Sequence, residues 1–155
     1  MGTKRVGLAR TQSLIENLKR ELQMNQSVIV GDAHKAITIT ATTQVLTADD
    51  SGAVVFLAGG SAATATLPSL QSGLKFTFVV VSSQQHIING GGGNMKGMVT
   101  AVAAGPTVSQ EKNSAGTQIT FNASATIGDR VDVVCDGTNW YVSGMTENAV
   151  QFAPT

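Results

Sequence analysis

Few residues of this chain are of types that do chemistry, and their spacing decides what each can do. Asp32, His34, Asp49 and Asp50 are metal-ligand types. Their spacing matches no metal motif, and aspartates in turns already serve as caps and Asx turns. His86 follows Gln84 and Gln85 at the start of a β-prone run, with no Ser or Cys near it in a nucleophile motif. It therefore reads as a hydrogen-bonded or surface histidine rather than a general base. Cys135 is the single cysteine, which excludes an intrachain disulfide, and its inward strand position suits a buried inert thiol. Gly90-Gly91-Gly92-Gly93 is not a phosphate loop, because such a loop finishes in Gly-Lys-Ser/Thr before a helix. Here Asn94-Met95-Lys96-Gly97 leads into another strand. Neither enzymatic chemistry nor a cofactor or metal is expected.

The elements that would position these groups are short strands. In residues 128–144, Val131, Val133 and Cys135 alternate with Asp132 and Asp136, Asp136-Gly137 supplies a turn, and Trp140 and Val142 resume the period of two. That pattern predicts a β-hairpin. Trp140 is the only tryptophan and the natural anchor of a core poor in aromatics. Residues 75–81 form the strongest strand. Phe76, Phe78 and Val80 lie on one face and Thr77, Val79 and Val81 on the other, the mark of a central or doubly covered position. Phe76, Phe78 and Trp140 are the expected core anchors, and Tyr141, facing opposite to Trp140, is left for a subunit contact. Further β-prone runs fall at 28–30, 37–40, 45–47, 54–58, 63–67, 86–89, 98–103, 107–109, 117–121 and 150–152, between Gly- and Asp-rich turns. The run 86–89 reads as the return strand after 75–81, and the glycines at 90–93 hold a structure only if a neighbouring backbone packs against them. About eleven short strands without intervening helices predict a mainly β domain, an antiparallel β-sandwich of jelly-roll type.

The first residues differ in kind. Residues 11–24 lack Gly and Pro and predict the one helix, in which Leu8, Ile15 and Leu22 recur every seven positions, with Leu18 between them and Leu14 widening the stripe. So short a helix needs a neighbour, and self-association or docking on a partner is expected ahead of packing on the chain's own β domain. Residues 1–24 carry Lys4, Arg5, Arg10, Lys19 and Arg20 against Glu16 and Glu21, a net charge of +3 in a chain whose total is zero. The division expected is therefore a basic arm and helix at 1–27 and a β domain at 28–155. Only 13% of residues are charged, which suggests that other subunits cover part of the surface. The β portion is net acidic and lacks aromatics interleaved with Lys or Arg, which argues against nucleic acid. No run approaches the ~20 apolar residues of a membrane span.

Motif order adds a resemblance. Leu67-Pro68-Ser69-Leu70, then Gly73 and Lys75-Phe76-Thr77-Phe78-Val79-Val80, then Ile87-Ile88-Asn89-Gly90-Gly91, and the closing Gly128-Asp129-Arg130-Val131 with Cys135-Asp136-Gly137-Thr138-Asn139-Trp140-Tyr141-Val142-Ser143-Gly144, resemble the small β domain of tailed-phage virion proteins. Leu46-Thr47-Ala48-Asp49-Asp50-Ser51-Gly52 looks like that domain's opening, so the similarity spans most of residues 45–144. The segment from Gly2-Thr3-Lys4-Arg5-Val6-Gly7 to Leu14-Ile15-Glu16 is similar to the starts of small structural proteins of marine phages. The resemblance implies a non-enzymatic capsid decoration, or cement, protein on the outer surface of the virion, commonly a homotrimer. Lys4, Arg5, Arg10, Lys19 and Arg20 would meet the major capsid protein, and Leu8, Ile15, Leu18 and Leu22 would meet other copies. The alternative is a short tail fibre or knob that binds a host glycan through loops such as residues 90–96.

Overall fold

The computed structural model describes residues 7, 10–17, 34–102 and 108–153, with the backbone alone over residues 108–115. Contacts divide the chain into Met1–Ala33 and His34–Thr155. In the first unit residues 10–17 are helical, and the amide of Arg10 donates to the carbonyl of Gly7 at 2.8 Å.

The second unit is mainly β. Its strands are β1 (Ala36–Ile39), β2 (Thr43–Val45), β3 (Val54–Leu57), β4 (Thr64–Thr66), β5 (Lys75–Val80), β6 (Ile87–Asn89), β7 (Asn94–Val102), β8 (Val108–Gly116), β9 (Gln118–Thr120), β10 (Arg130–Cys135), β11 (Asn139–Thr146) and β12 (Gln151–Ala153). Seven strands form one sheet in the order β1-β3-β5-β10-β11-β7-β8, and five form the other in the order β12-β9-β6-β4-β2. Successive strands from β1 to β6 alternate between the sheets, so three turns of chain stack on one another. Ala36 lies opposite Val54 and Val54 opposite Thr77 in the larger sheet, while Thr43 lies opposite Thr64 and Thr64 opposite Ile87 in the smaller.

The expectation of antiparallel sheets is corrected here. The pairings β1–β3, β3–β5, β2–β4, β4–β6 and β7–β11 are all parallel. Parallel neighbours need a crossover of a dozen or more residues, which a helix usually supplies. In this chain each crossover carries a strand of the opposite sheet, so parallel pairing arises without helices. For the same reason residues 87–89 are not the return strand of β5; they join the smaller sheet beside β4. Antiparallel strands then close the stack: β10 pairs with β5 and β9 with β6. The hairpin of residues 128–144 forms as expected, with Cys135 opposite Trp140.

Strand alternation delivers one core from both sheets. Phe76, Phe78, Val80, Val131, Val133, Trp140 and Val142 from the larger sheet join Ala65, Ile88 and Ile119 from the smaller. Phe76, Phe78 and Trp140 are fully buried, and the rings of Phe76 and Trp140 lie 6.1 Å apart at 56°. The indole N–H of Trp140 donates to the carbonyl of Gly90 at 3.0 Å. The glycine run packs under this ring as the sequence required: a Cβ on Gly93 would stand 2.7 Å from Leu70 Cδ2 and 2.9 Å from Trp140 Cδ1. On β7, Gly97 has φ +148°, and a Cβ there would fall within 1.9 Å of the Val142 carbonyl oxygen. Gly97→Ala should therefore cost about 2 kcal/mol or more of unfolding free energy, read from urea titration of Trp140 fluorescence. Trp140→Phe should cost about 1–3 kcal/mol, because it removes the indole hydrogen bond to the buried Gly90 carbonyl, which then keeps only the Gly93 amide, and leaves a gap where the larger ring packed.

Candidate functional site

Of the polar residues singled out by type, His86 holds the stack together. His86 is fully buried at the corner joining β3–β4 to β5–β6. The amide of Ala63 donates to its Nδ1 at 3.2 Å, so Nε2 carries the proton and faces the carbonyl and hydroxyl oxygens of Ser82, each at 3.1 Å. The Ser82 hydroxyl in turn donates to the Gly59 carbonyl at 2.7 Å. The imidazole thus ties two successive turns of chain, and both its nitrogens are committed. Burial holds its pKa below the ordinary value, against the opposing pull of the Ser82 carbonyl.

The aspartates divide between turns and one sheet face. Asp50 accepts from the Thr47 amide and hydroxyl, each at 2.8 Å, and pairs with Lys35 at 2.5 Å. The Lys35 bond, with those from Thr47, keeps its carboxyl below the usual range. Asp136 accepts from the amides of Thr138 and Asn139, both at 2.7 Å, which shapes the hairpin turn and lowers its pKa. The Tyr141 hydroxyl also bonds Asp136, and that bond raises the phenol's pKa. Asp129 is pushed up by burial although the amides of Glu147 and Thr126 donate to it. Asp132 is half-buried, and burial opposes its charge; the Thr77 hydroxyl, the Arg130 guanidinium and nearby Lys75 outweigh that and keep its pKa low. Cys135 is buried, with its sulfur accepting from the Gly137 amide at 3.3 Å.

Asp49 lies in a 3₁₀ turn with Asp50, and His34 is exposed before β1. Asp32 lies outside the described residues, among which no group of three or more metal-ligand side chains is assembled. Of the residues assigned to capsid and subunit contacts, Arg10 and Ile15 lie on the described helix, and both are exposed. Leu14 is 61% exposed and Ile15 53% exposed. Lys4, Arg5, Lys19, Arg20, Leu8, Leu18 and Leu22 lie outside the described residues.

Of one exposed apolar surface among the described residues, sequence reasoning found only Tyr141. On the outer face of the larger sheet Val134 sits beside Tyr141 and Lys96, Ser143 beside Met98, and Met145 beside Arg130 and Thr100. Met98, Val102, Val134, Tyr141 and Met145 are all substantially exposed there. The signal was present on β11, where Tyr141, Ser143 and Met145 alternate with buried Trp140 and Val142. Its continuation across three strands depended on the parallel register of β7 and β11.

Compared with known protein families, characterised proteins and solved structures, the chain matches none. The site is therefore read from its own chemistry: an uncharged, aromatic- and methionine-containing surface beside Lys75, Lys96 and Arg130, which suits protein contact.

One consequence concerns pH. A free imidazole binds its proton near its ordinary pKa of 6.5, and the folded one only below it. The stability supplied by neutral His86 should be complete above that value and be lost as pH falls through the lowered folded pKa. Urea titrations over roughly pH 5–7 should show this slope, and His86→Gln should flatten it while lowering stability throughout.

Proposed function

We propose that this chain is a non-enzymatic structural protein of a tailed-phage virion, a capsid decoration protein that binds the outer head shell and stabilises it. The observation that carries the reading is the division of labour along the chain. A basic N-terminal unit with an exposed Leu14-Ile15 helix face precedes a β unit whose conspicuous polar groups are occupied in turns and corners. The motifs that carry the resemblance support it further. Leu67, β5 and the hairpin of β10 and β11 all contribute to one core around Trp140. In this reading the two mixed sheets face each other as a β-sandwich, the protein is a homotrimer, and Lys4, Arg5, Arg10, Lys19 and Arg20 meet the major capsid protein. Neither nucleic acid, membrane nor cofactor takes part. No helix among the described residues is long and apolar enough to cross a membrane.

Mechanically, such a protein adds contacts between neighbouring capsomers and resists the pressure of packaged DNA. An interface of ~1,200–2,000 Å² at each point is sufficient, and repetition around a symmetric shell multiplies modest contacts by avidity. The glycan-binding alternative is less favoured, because the 90–96 loop is drawn against the body: Gly90, Gly93 and Met95 are buried and Trp140 bonds Gly90.

Replacing Lys4, Arg5, Arg10, Lys19 and Arg20 together by Glu should weaken binding of the full chain to undecorated shells at least tenfold in a sedimentation assay. Unchanged binding would show the arm assignment to be wrong. Quantification of virions should find copies on the scale of the capsomers; a handful per particle would favour the fibre.

A further inference from the structure

Asn89-Gly90 is the only place in the chain where glycine follows asparagine, and that pair has a reaction of its own. Glycine has no Cβ to shield its peptide nitrogen. The Gly90 nitrogen can therefore attack Asn89 Cγ: an N–Cγ bond forms, the Cγ–Nδ2 bond breaks, and the Gly90 amide proton passes through water to the side-chain nitrogen, which leaves as ammonia. A water molecule then opens the succinimide on either side of the Gly90 nitrogen. The product is aspartate or, with one more carbon in the backbone, isoaspartate.

The fold opposes the first step. Asn89 ends β6, opposite Thr66 of β4 on one side and Gln118 of β9 on the other. Its carbonyl accepts from the Leu67 amide at 2.8 Å, and the attacking group, the Gly90 amide, donates to the Thr117 carbonyl at 2.8 Å. Ring closure requires rotation about the Asn89 Cα–C bond, which swings that carbonyl and that amide together and so breaks both bonds. Beyond them the Gly90 carbonyl is held by the Trp140 indole and by the Gly93 amide, each at 3.0 Å. The side chain itself is poised rather than protected: Asn89 is half-buried, and its Oδ1 accepts from the Gly91 amide at 2.9 Å, a bond that polarises Cγ. We propose that Asn89 is a deamidation site gated by the fold, inert while Gly90 is held between Thr117 and Trp140 and reactive whenever that segment opens. Reaction in the open form makes the opening irreversible. Isoaspartate lengthens the backbone between β6 and Gly90, so β6 cannot keep its register with β4 and β9 while Gly90 returns to Trp140. The proposal concerns the chain itself and holds whichever partner it binds.

Peptide mapping by mass spectrometry of the full chain, held in mildly alkaline buffer, reads the reaction. In the urea-unfolded chain Asn89 should deamidate faster than Asn122, which is followed by alanine. In the folded chain Asn89 should be slower than in the unfolded one by at least tenfold, because the rate then scales with the population of the open form. Urea below the unfolding transition should quicken Asn89 while changing the exposed Asn122 little. Trp140→Phe, which removes one of the bonds on Gly90, should quicken Asn89 in the folded state; the urea series on the unaltered chain covers failure of that variant to fold. Refolding of chains aged in urea should recover native Trp140 fluorescence only in molecules without isoaspartate. Equal rates in folded and unfolded chains, an Asn89 no faster than Asn122 when unfolded, or a rate indifferent to dilute urea would each overturn the gating. Isoaspartate at position 89 in refolded, native chains would overturn the irreversibility.

Discussion

The seating of Trp140 is the contact on which the rest of the β unit depends. Its N–H reaches the Gly90 carbonyl at 3.0 Å across 50 positions of sequence, while its ring lies on Phe76 and closes over Gly93. One side chain thereby fixes the hairpin of β10 and β11, the central strand β5 and the glycine run that delivers β7. Aromatic pairs contribute about 0.5–1.5 kcal/mol beyond the area they bury, and the hydrogen bond removes the cost of an unpaired buried indole N–H. In a chain with 5% aromatic residues no second site offers the same combination.

His86 does at the opposite corner what Trp140 does at the hairpin end. Stacked turns of parallel strands are joined by loops whose backbone groups cannot all pair within a sheet. The imidazole accepts from Ala63 and faces Ser82, whose hydroxyl reaches Gly59. Two successive connections, β3–β4 and β5–β6, are so joined by two side chains. The arrangement also explains why a histidine without a catalytic neighbourhood is fully buried: each nitrogen has a structural partner, and burial favours the neutral form that provides them.

Beyond these two anchors, the outer face of the larger sheet and the N-terminal helix carry exposed apolar side chains. Both surfaces are apolar with cations close by. Surfaces of this kind, rather than a cleft, are what the proposed decoration role would use.

Much of the β unit was legible residue by residue. The alternation in 131–142 with Asp136-Gly137 between its halves specifies a hairpin by local geometry, and two apolar faces on residues 75–80 specify an interior strand, because both properties follow from the period of the backbone. The seating of the glycines at 90–93 was legible as a condition, that some neighbour must pack there, but the neighbour itself was not. Strand direction and partner were decided only in three dimensions. A short alternating strand presents the same pattern to a parallel or an antiparallel neighbour, so the stacked turns of β1 to β6, the corner filled by His86 and the joining of Met98, Tyr141 and Val134 into one face depend on which sheet each crossover enters. That choice is made by long-range burial in the core shared by both sheets, which no local stretch of sequence encodes.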